Sequence, residues 1–221
     1  MLKKFMEKVG EALGIERDMF DPSVLGDPVA MQTDWTPAKK KGGASFKTHK
    51  LVEPNSDRLE FRVSTQAKLF YLTFLVVGVG ALIGFFCIIS FGGAPVNWRT
   101  LCLMGAGLAF TTGGACMLYF GTAPIVFDRR RGFFWKGRKN PDHVFDKRTL
   151  KHFAELEKIH ALQLISKHVS SQNSSYHCYE QNLVLEDGKR INVIDHGNQD
   201  SLREDTVTLA AFLDKPIWDA T

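Results

Sequence analysis

From Leu69 to Phe91, and again from Leu101 to Phe120, the chain carries no charged side chain, over 23 and 20 residues by count, while both flanks alternate polar and apolar positions. About 20 apolar residues in helical form cross a ~30 Å hydrocarbon core, so each run predicts a transmembrane helix. Two buried core helices of a soluble domain would be shorter or would carry a polar face. Only GGAPVNWRT, Gly92 to Thr100, separates the runs, with Pro95 as a breaker, and so short a link makes the helices an antiparallel hairpin. Gly80 and Gly84 in the first run, and Gly105, Ala109 and Gly113 in the second, repeat small residues every four positions and are the expected helix-packing stripes.

The flanks divide by period. Leu2, Phe5, Met6, Val9 and Leu13 recur at helical spacing, which predicts an amphipathic helix within residues 1–17, docked on lipid or on protein. Residues 18–68 read as a linker, rich in Asp, Pro, Gly and Lys, leading to two short strands, FKTHKLV and RLEFRVS. After the hairpin (69–120), residues 121–221 give strand signals at short intervals. PIVFD and GFFWKG flank an Arg129-Arg130-Arg131 turn, IHALQLISKHV follows, and YHCYEQNLVLE joins KRINVIDH through Asp187-Gly188, a favoured hairpin dipeptide. From Gln199 the period becomes helical, with Leu202, Val207, Leu209, Ala210 and Leu213 apolar, and it ends before Pro216.

A run of antiparallel strands closed by one helix, here roughly Pro124 to Trp218 with VFDRRRGFFWKG, LEKIHALQLI and TLAAFLDKPIW, resembles the bacterial pleckstrin-homology-like domains found beside membrane hairpins. The chain is also similar to uncharacterised bacterial inner-membrane proteins that end in a Pro-x-Trp-Asp tail, here Pro216 to Asp219. The resemblance implies an α+β fold with a PH-like antiparallel sheet and a C-terminal helix, carried on two transmembrane helices. Lipid or partner specificity varies within that family and does not transfer.

Charge sets orientation. Lys50, Arg58, Arg62 and Lys68 precede the first run, and Arg129, Arg130, Arg131, Lys136, Arg138 and Lys139 follow the second, against Arg99 alone in the connection. The positive-inside rule then puts both termini in the cytoplasm. A net charge of +4 is too small to argue for nucleic acid, and acids from Glu180 to Asp187 and from Asp200 to Asp205 interrupt any basic face. The opening segment has no apolar core with a cleavage site, so no secretory signal peptide is expected, and four scattered cysteines make no disulfide framework.

Chemistry is sparse. His160 and His168 lie eight strand positions apart, about 26 Å, too far to share an ion, and no metal or other cofactor is expected. No nucleophile elbow, phosphate loop or HExxH occurs. The six cations from Arg129 to Lys139 are the candidates for a lipid headgroup or a protein partner, each able to contribute ~1 kcal/mol beside an anionic leaflet. The expected function is therefore non-enzymatic: an inner-membrane accessory or scaffold protein whose cytoplasmic domain binds a protein partner or anionic lipid, in an oligomeric state the sequence leaves open. A membrane-bound enzyme or a small oligomeric pore stand as alternatives. The pore is disfavoured because neither run holds an Asp, Glu, Lys, Arg or His.

Overall fold

The computed structural model describes residues 20–38, 47–93, 95–138, 141, 152–171 and 174–221, with backbone alone for 168–171 and 174–175. The predicted amphipathic helix and Lys139 lie outside the described residues.

Two helices, α2 (Thr65–Ser90) and α3 (Trp98–Gly121), are long and apolar enough to cross a membrane and bury little of their surface within the chain. Ser64 starts α2 by accepting the Ala67 amide, and a reciprocal pair of bonds between Asn97 and Thr100 starts α3. The second helix thus begins three residues earlier than hydropathy alone suggests, because Asn97 is a better cap than any residue nearer Leu101.

The helices pack through glycines, but not the expected ones. A Cβ on Gly78 would strike the Thr111 backbone, one on Gly107 the Leu82 side chain at 2.9 Å, and one on Gly114 the Leu75 Cα at 2.9 Å. Gly80, Gly84, Gly105 and Gly113 have nothing within 4 Å of such a Cβ, and Ala109 is exposed. The four-residue spacing is present, yet Gly80 is two positions from Gly78, about 200° round the helix, so the stripe faces away from the partner helix. Phe74 stacks on Phe110 at 5.5 Å beside the true seam.

The hairpin interrupts a sheet. Strands β1 (His49–Asn55), β2 (Arg58–Val63), β3 (Ile125–Asp128), β4 (Phe133–Lys136) and β5 (Phe153–Glu155) form one antiparallel sheet in chain order. Strand β2 runs directly into α2, α3 returns into β3, and β2 pairs with β3 with Phe61 opposite Ile125. A division of the chain at residue 121 is therefore corrected: residues 49–63 belong to the same folded unit as the strands after the hairpin. Long-range pairing of this kind leaves no local sequence signal.

A second sheet has the order β8-β7-β6-β9. Strands β6 (Ile159–Ser171), β7 (Ser174–Leu185) and β8 (Arg190–His196) are antiparallel, and the turn after β7 uses Gly188 at φ +75°, a conformation open to glycine. Helix α4 (Gln199–Leu213) follows, capped by Asn198 through the Ser201 amide. It does not end the fold, because β9 (Ile217–Ala220) then adds to β6 in parallel. Leu59, Phe61, Phe127 and Phe134 from the first sheet meet Leu162, Leu164, Leu183 and Val193 from the second, and Leu202, Leu209 and Phe212 of α4 join the same core.

Residues 20–38, expected as linker, are a packed strap. Asp27 caps a short helix α1 (Pro28–Gln32), with Pro28 at its first turn, and seats Ala30 with Ala161, Val184 and Trp218 on the outer face of the second sheet. Trp35 lies 4.5 Å from the Phe20 ring and 5.8 Å from Trp218, and its Nε1 donates to the Ala30 carbonyl.

Candidate functional site

Of the six cations expected to act together, the five that are described are divided by the first sheet. Because β2 enters α2 and β3 leaves α3, both long helices join the sheet at the end marked by Val63, Ile125 and Lys136. The Arg129 to Arg131 turn lies at the opposite end of β3, roughly 10 Å away along the strand. There Asp128 accepts the Arg131 amide, its carboxylate faces the Arg58 and Arg131 guanidinium groups at 3.7 and 3.8 Å, and Arg129 sits over the Phe212 ring at 4.3 Å. Arg130 is exposed. The turn is thus tied to β2 and α4 rather than presented beside the helices.

Lys136 and Arg138 are at the helix base, and both are engaged within the chain. Lys136 Nζ donates to the Val193 carbonyl at 2.8 Å, joining the two sheets. Arg138 donates to the Tyr119 carbonyl and the Thr122 hydroxyl and lies over the Tyr119 ring at 5.0 Å. A cation with donors at a helix C-terminus meets both the open carbonyls and the helix dipole.

The sequence pattern did not reveal a second group at this base. His49 opens β1, and its ring donates a hydrogen bond to the Gly121 backbone carbonyl at the end of α3. Burial, with Lys136 and His196 nearby, lowers the His49 pKa to about 4. His196 is fully buried, and its Nδ1 accepts the Asn198 amide at 2.9 Å, leaving Nε2 without a partner. Burial, then Lys47, lowers its pKa as well. Lys47 Nζ lies 3.7 Å from Asp205, whose carboxyl is pushed up by burial against the pull of that lysine. These residues come from β1, β8, α4 and the segment before β1, so no spacing along the chain could have grouped them.

The outer face of the second sheet holds a buried polar ladder. Asn182 donates to Glu180 at 2.9 Å and to Gln163 at 3.3 Å, and Asn192 donates to Asp195 at 3.0 Å. The strap lies over it: Gln163 donates to the Asp34 carbonyl, Arg190 donates to the Thr36 carbonyl at 2.8 Å and to the Asp34 carboxylate at 3.0 Å, and Glu180 accepts the Ala38 amide. His160 meets Asp27 at 2.7 Å further along. Lys167, opposite Cys178, is 4 % exposed with no partner for its Nζ, and burial, then Asp195, pushes the Cys178 thiol up. Between strap and β7–β8 turn is an open cleft of about 440 Å³ lined by Asp34, Thr36, Lys189 and Arg190 among others. The signal was present as polar residues alternating along β6 and β7, which reads equally as a solvated face.

Among the described residues, no group of three or more His, Cys, Asp or Glu side chains is placed to share a metal ion. No family model, no curated protein and no solved structure matches the chain.

Proposed function

We propose that this is a non-enzymatic, membrane-anchored accessory protein of the bacterial inner membrane, whose cytoplasmic PH-like domain docks a protein partner beside the bilayer. The observation that carries the reading is the insertion of the α2–α3 hairpin between two paired strands: Val63 is followed by the cap Ser64 and then by α2, and only Thr122 to Pro124 separate α3 from β3. An apolar hairpin joined this tightly is suited to hold a rigid domain at fixed height and angle, as a scaffold requires. The short connection between the helices would face the outside, and both termini the cytoplasm, in line with the excess of cations at the sheet end of the hairpin.

The test is topology together with assembly. A cysteine at Asn97 should react with a membrane-impermeant thiol reagent applied from outside, and a reporter after Thr221 should be active only in the cytoplasm. Gentle solubilisation should release the chain in a stoichiometric complex with a second protein. Release of the chain by alkaline washing, or a lone monomer from native membranes, would overturn the reading.

A further inference from the structure

We infer that the base of the first sheet, and not the arginine turn, is a contact site for anionic phospholipid headgroups, with Lys50 and Lys68 as the two side chains that meet the phosphates. The inference rests on the membrane reading of the hairpin and goes beyond it by naming the ligand and the residues.

Register fixes the level of the site. His49 is opposite Val63, Lys50 opposite Arg62, and Ile125 opposite Lys136, so these positions border the edge from which both long helices leave. Lys47 is drawn to the same level, since its carbonyl accepts the hydroxyl of Ser64, the α2 cap. Lys68 lies in the first turn of α2, immediately before the uncharged run. The polar-to-apolar boundary of the hairpin therefore passes through a collar of Lys47, Lys50, Arg62, Lys68, Lys136 and Arg138.

Their partners separate the collar into two classes. Arg62 is paired with Glu60 at 2.7 Å, Lys47 with Asp205, Lys136 with the Val193 carbonyl, and Arg138 with the end of α3. Lys50 and Lys68 are exposed, and no ion pair or side-chain hydrogen bond ties either of them to another of the described residues. Two exposed ammonium groups on long flexible stems, at headgroup depth, suit a phosphodiester. The arginine turn is a strand length further out and tied to Asp128 and Phe212, and the surface potential decays over about 8 Å at physiological salt, so it contributes little.

The experiment titrates phosphatidylglycerol into the purified full chain in neutral detergent, with phosphatidylcholine and inorganic phosphate as separate arms. Three proteins are compared: wild type, the double variant Lys50→Gln and Lys68→Gln, and the triple variant Arg129→Gln, Arg130→Gln and Arg131→Gln. Both changed lysines are exposed, and an unaltered circular dichroism spectrum checks that the double variant folds. Two charges near an anionic surface correspond to about a 30-fold change in affinity, so the double variant should bind phosphatidylglycerol about 30-fold more weakly at low salt, with the gap closing as salt rises. At physiological salt, where the screening length is shorter than the offset of the turn, the triple variant should bind as wild type does, and phosphatidylcholine and inorganic phosphate should bind neither tightly nor differently. Equal binding by wild type and double variant, a comparable loss in the triple variant, or tight binding of free phosphate would each overturn the lipid site. Failure of the membrane reading shows separately, as release of the chain by alkaline washing.

Discussion

Phe61 and Ile125 stand opposite each other across the β2–β3 ladder, though the whole helical hairpin lies between them in the chain. Both are buried, and Phe61 meets Phe127 edge-on at 6.5 Å. The β domain is thus continuous in space and split in sequence. A polypeptide of Pro124 to Thr221 alone would expose Phe127 and Phe134, lose the β2 edge, and aggregate. Replacing residues 65–123 by Asn-Gly should instead give a soluble, mainly β protein, because Val63, Ser64 and the two new residues then form a four-residue loop between the facing positions Arg62 and Pro124, a length that antiparallel hairpins accept. Circular dichroism and size exclusion of the two polypeptides decide it: a folded Pro124 to Thr221 fragment would contradict the shared sheet.

In that protein or in the full chain, Phe61→Ala should cost about 3–5 kcal/mol, the range for emptying a buried aromatic site. A loss below about 1 kcal/mol in chemical denaturation would mean that the two sheets do not share one core.

Local order was legible where one residue type decides a local geometry. Uncharged length marked α2 and α3, Asp187-Gly188 marked the β7–β8 turn, and the apolar period from Leu202 marked α4. What was not legible depends on contacts distant in the chain. The strap was read as linker because its Pro and Asp residues resemble loop composition, yet those same residues, Asp27 and Pro28, begin α1, and Trp35 supplies its anchor. The glycine seam was missed because equal spacing occurs on more than one face of a helix, and only the partner's position selects Gly78, Gly107 and Gly114. The cations after α3 were grouped by proximity in sequence, whereas a β-hairpin sends neighbours such as Arg131 and Lys136 to opposite ends of a strand.

The seam makes a paired prediction. Gly78→Val and Gly114→Val place a branched side chain against the facing backbone and should separate α2 from α3, while Gly80→Val and Gly84→Val, which meet open space, should not. Disulfide crosslinking between Cys residues placed at Phe74 and Phe110, whose rings stack, reports the helix contact. Loss of crosslinking in the Gly80 variant, with retention in the Gly78 variant, would refute this seam.

The strap can be tested by its anchor. Trp35→Ala removes the ring that joins Phe20 to Trp218 and the bond to the Ala30 carbonyl, and should cost about 2–4 kcal/mol if the strap folds with the sheet. Limited proteolysis should then cut within residues 20–38 while the two sheets remain protected. An unchanged digestion pattern would mean that the backbone bonds to Gln163, Arg190 and Glu180 hold the strap unaided.

His49 should make stability fall with acid over a defined window. In the unfolded chain its imidazole gains a proton as pH drops through about 6.5, but in the folded protein burial and the neighbouring Lys136 and His196 delay this to about 4. Between those values the unfolded state binds more protons, so its contribution to stability is complete above about pH 6.5 and is lost progressively on the way down to pH 4. The difference corresponds to up to about 3 kcal/mol. His196 is lowered as well and acts in the same direction. His49→Gln keeps a donor for the Gly121 carbonyl and removes the titration, so its stability should fall less steeply than that of wild type between about pH 7 and pH 4.5. Urea denaturation of the full chain in detergent, followed by tryptophan fluorescence at a series of pH values, measures both slopes. Identical slopes would show that His49 gains its proton in the folded protein over the same pH range as in the unfolded chain, and that the base of the domain is more open to water than its packing indicates.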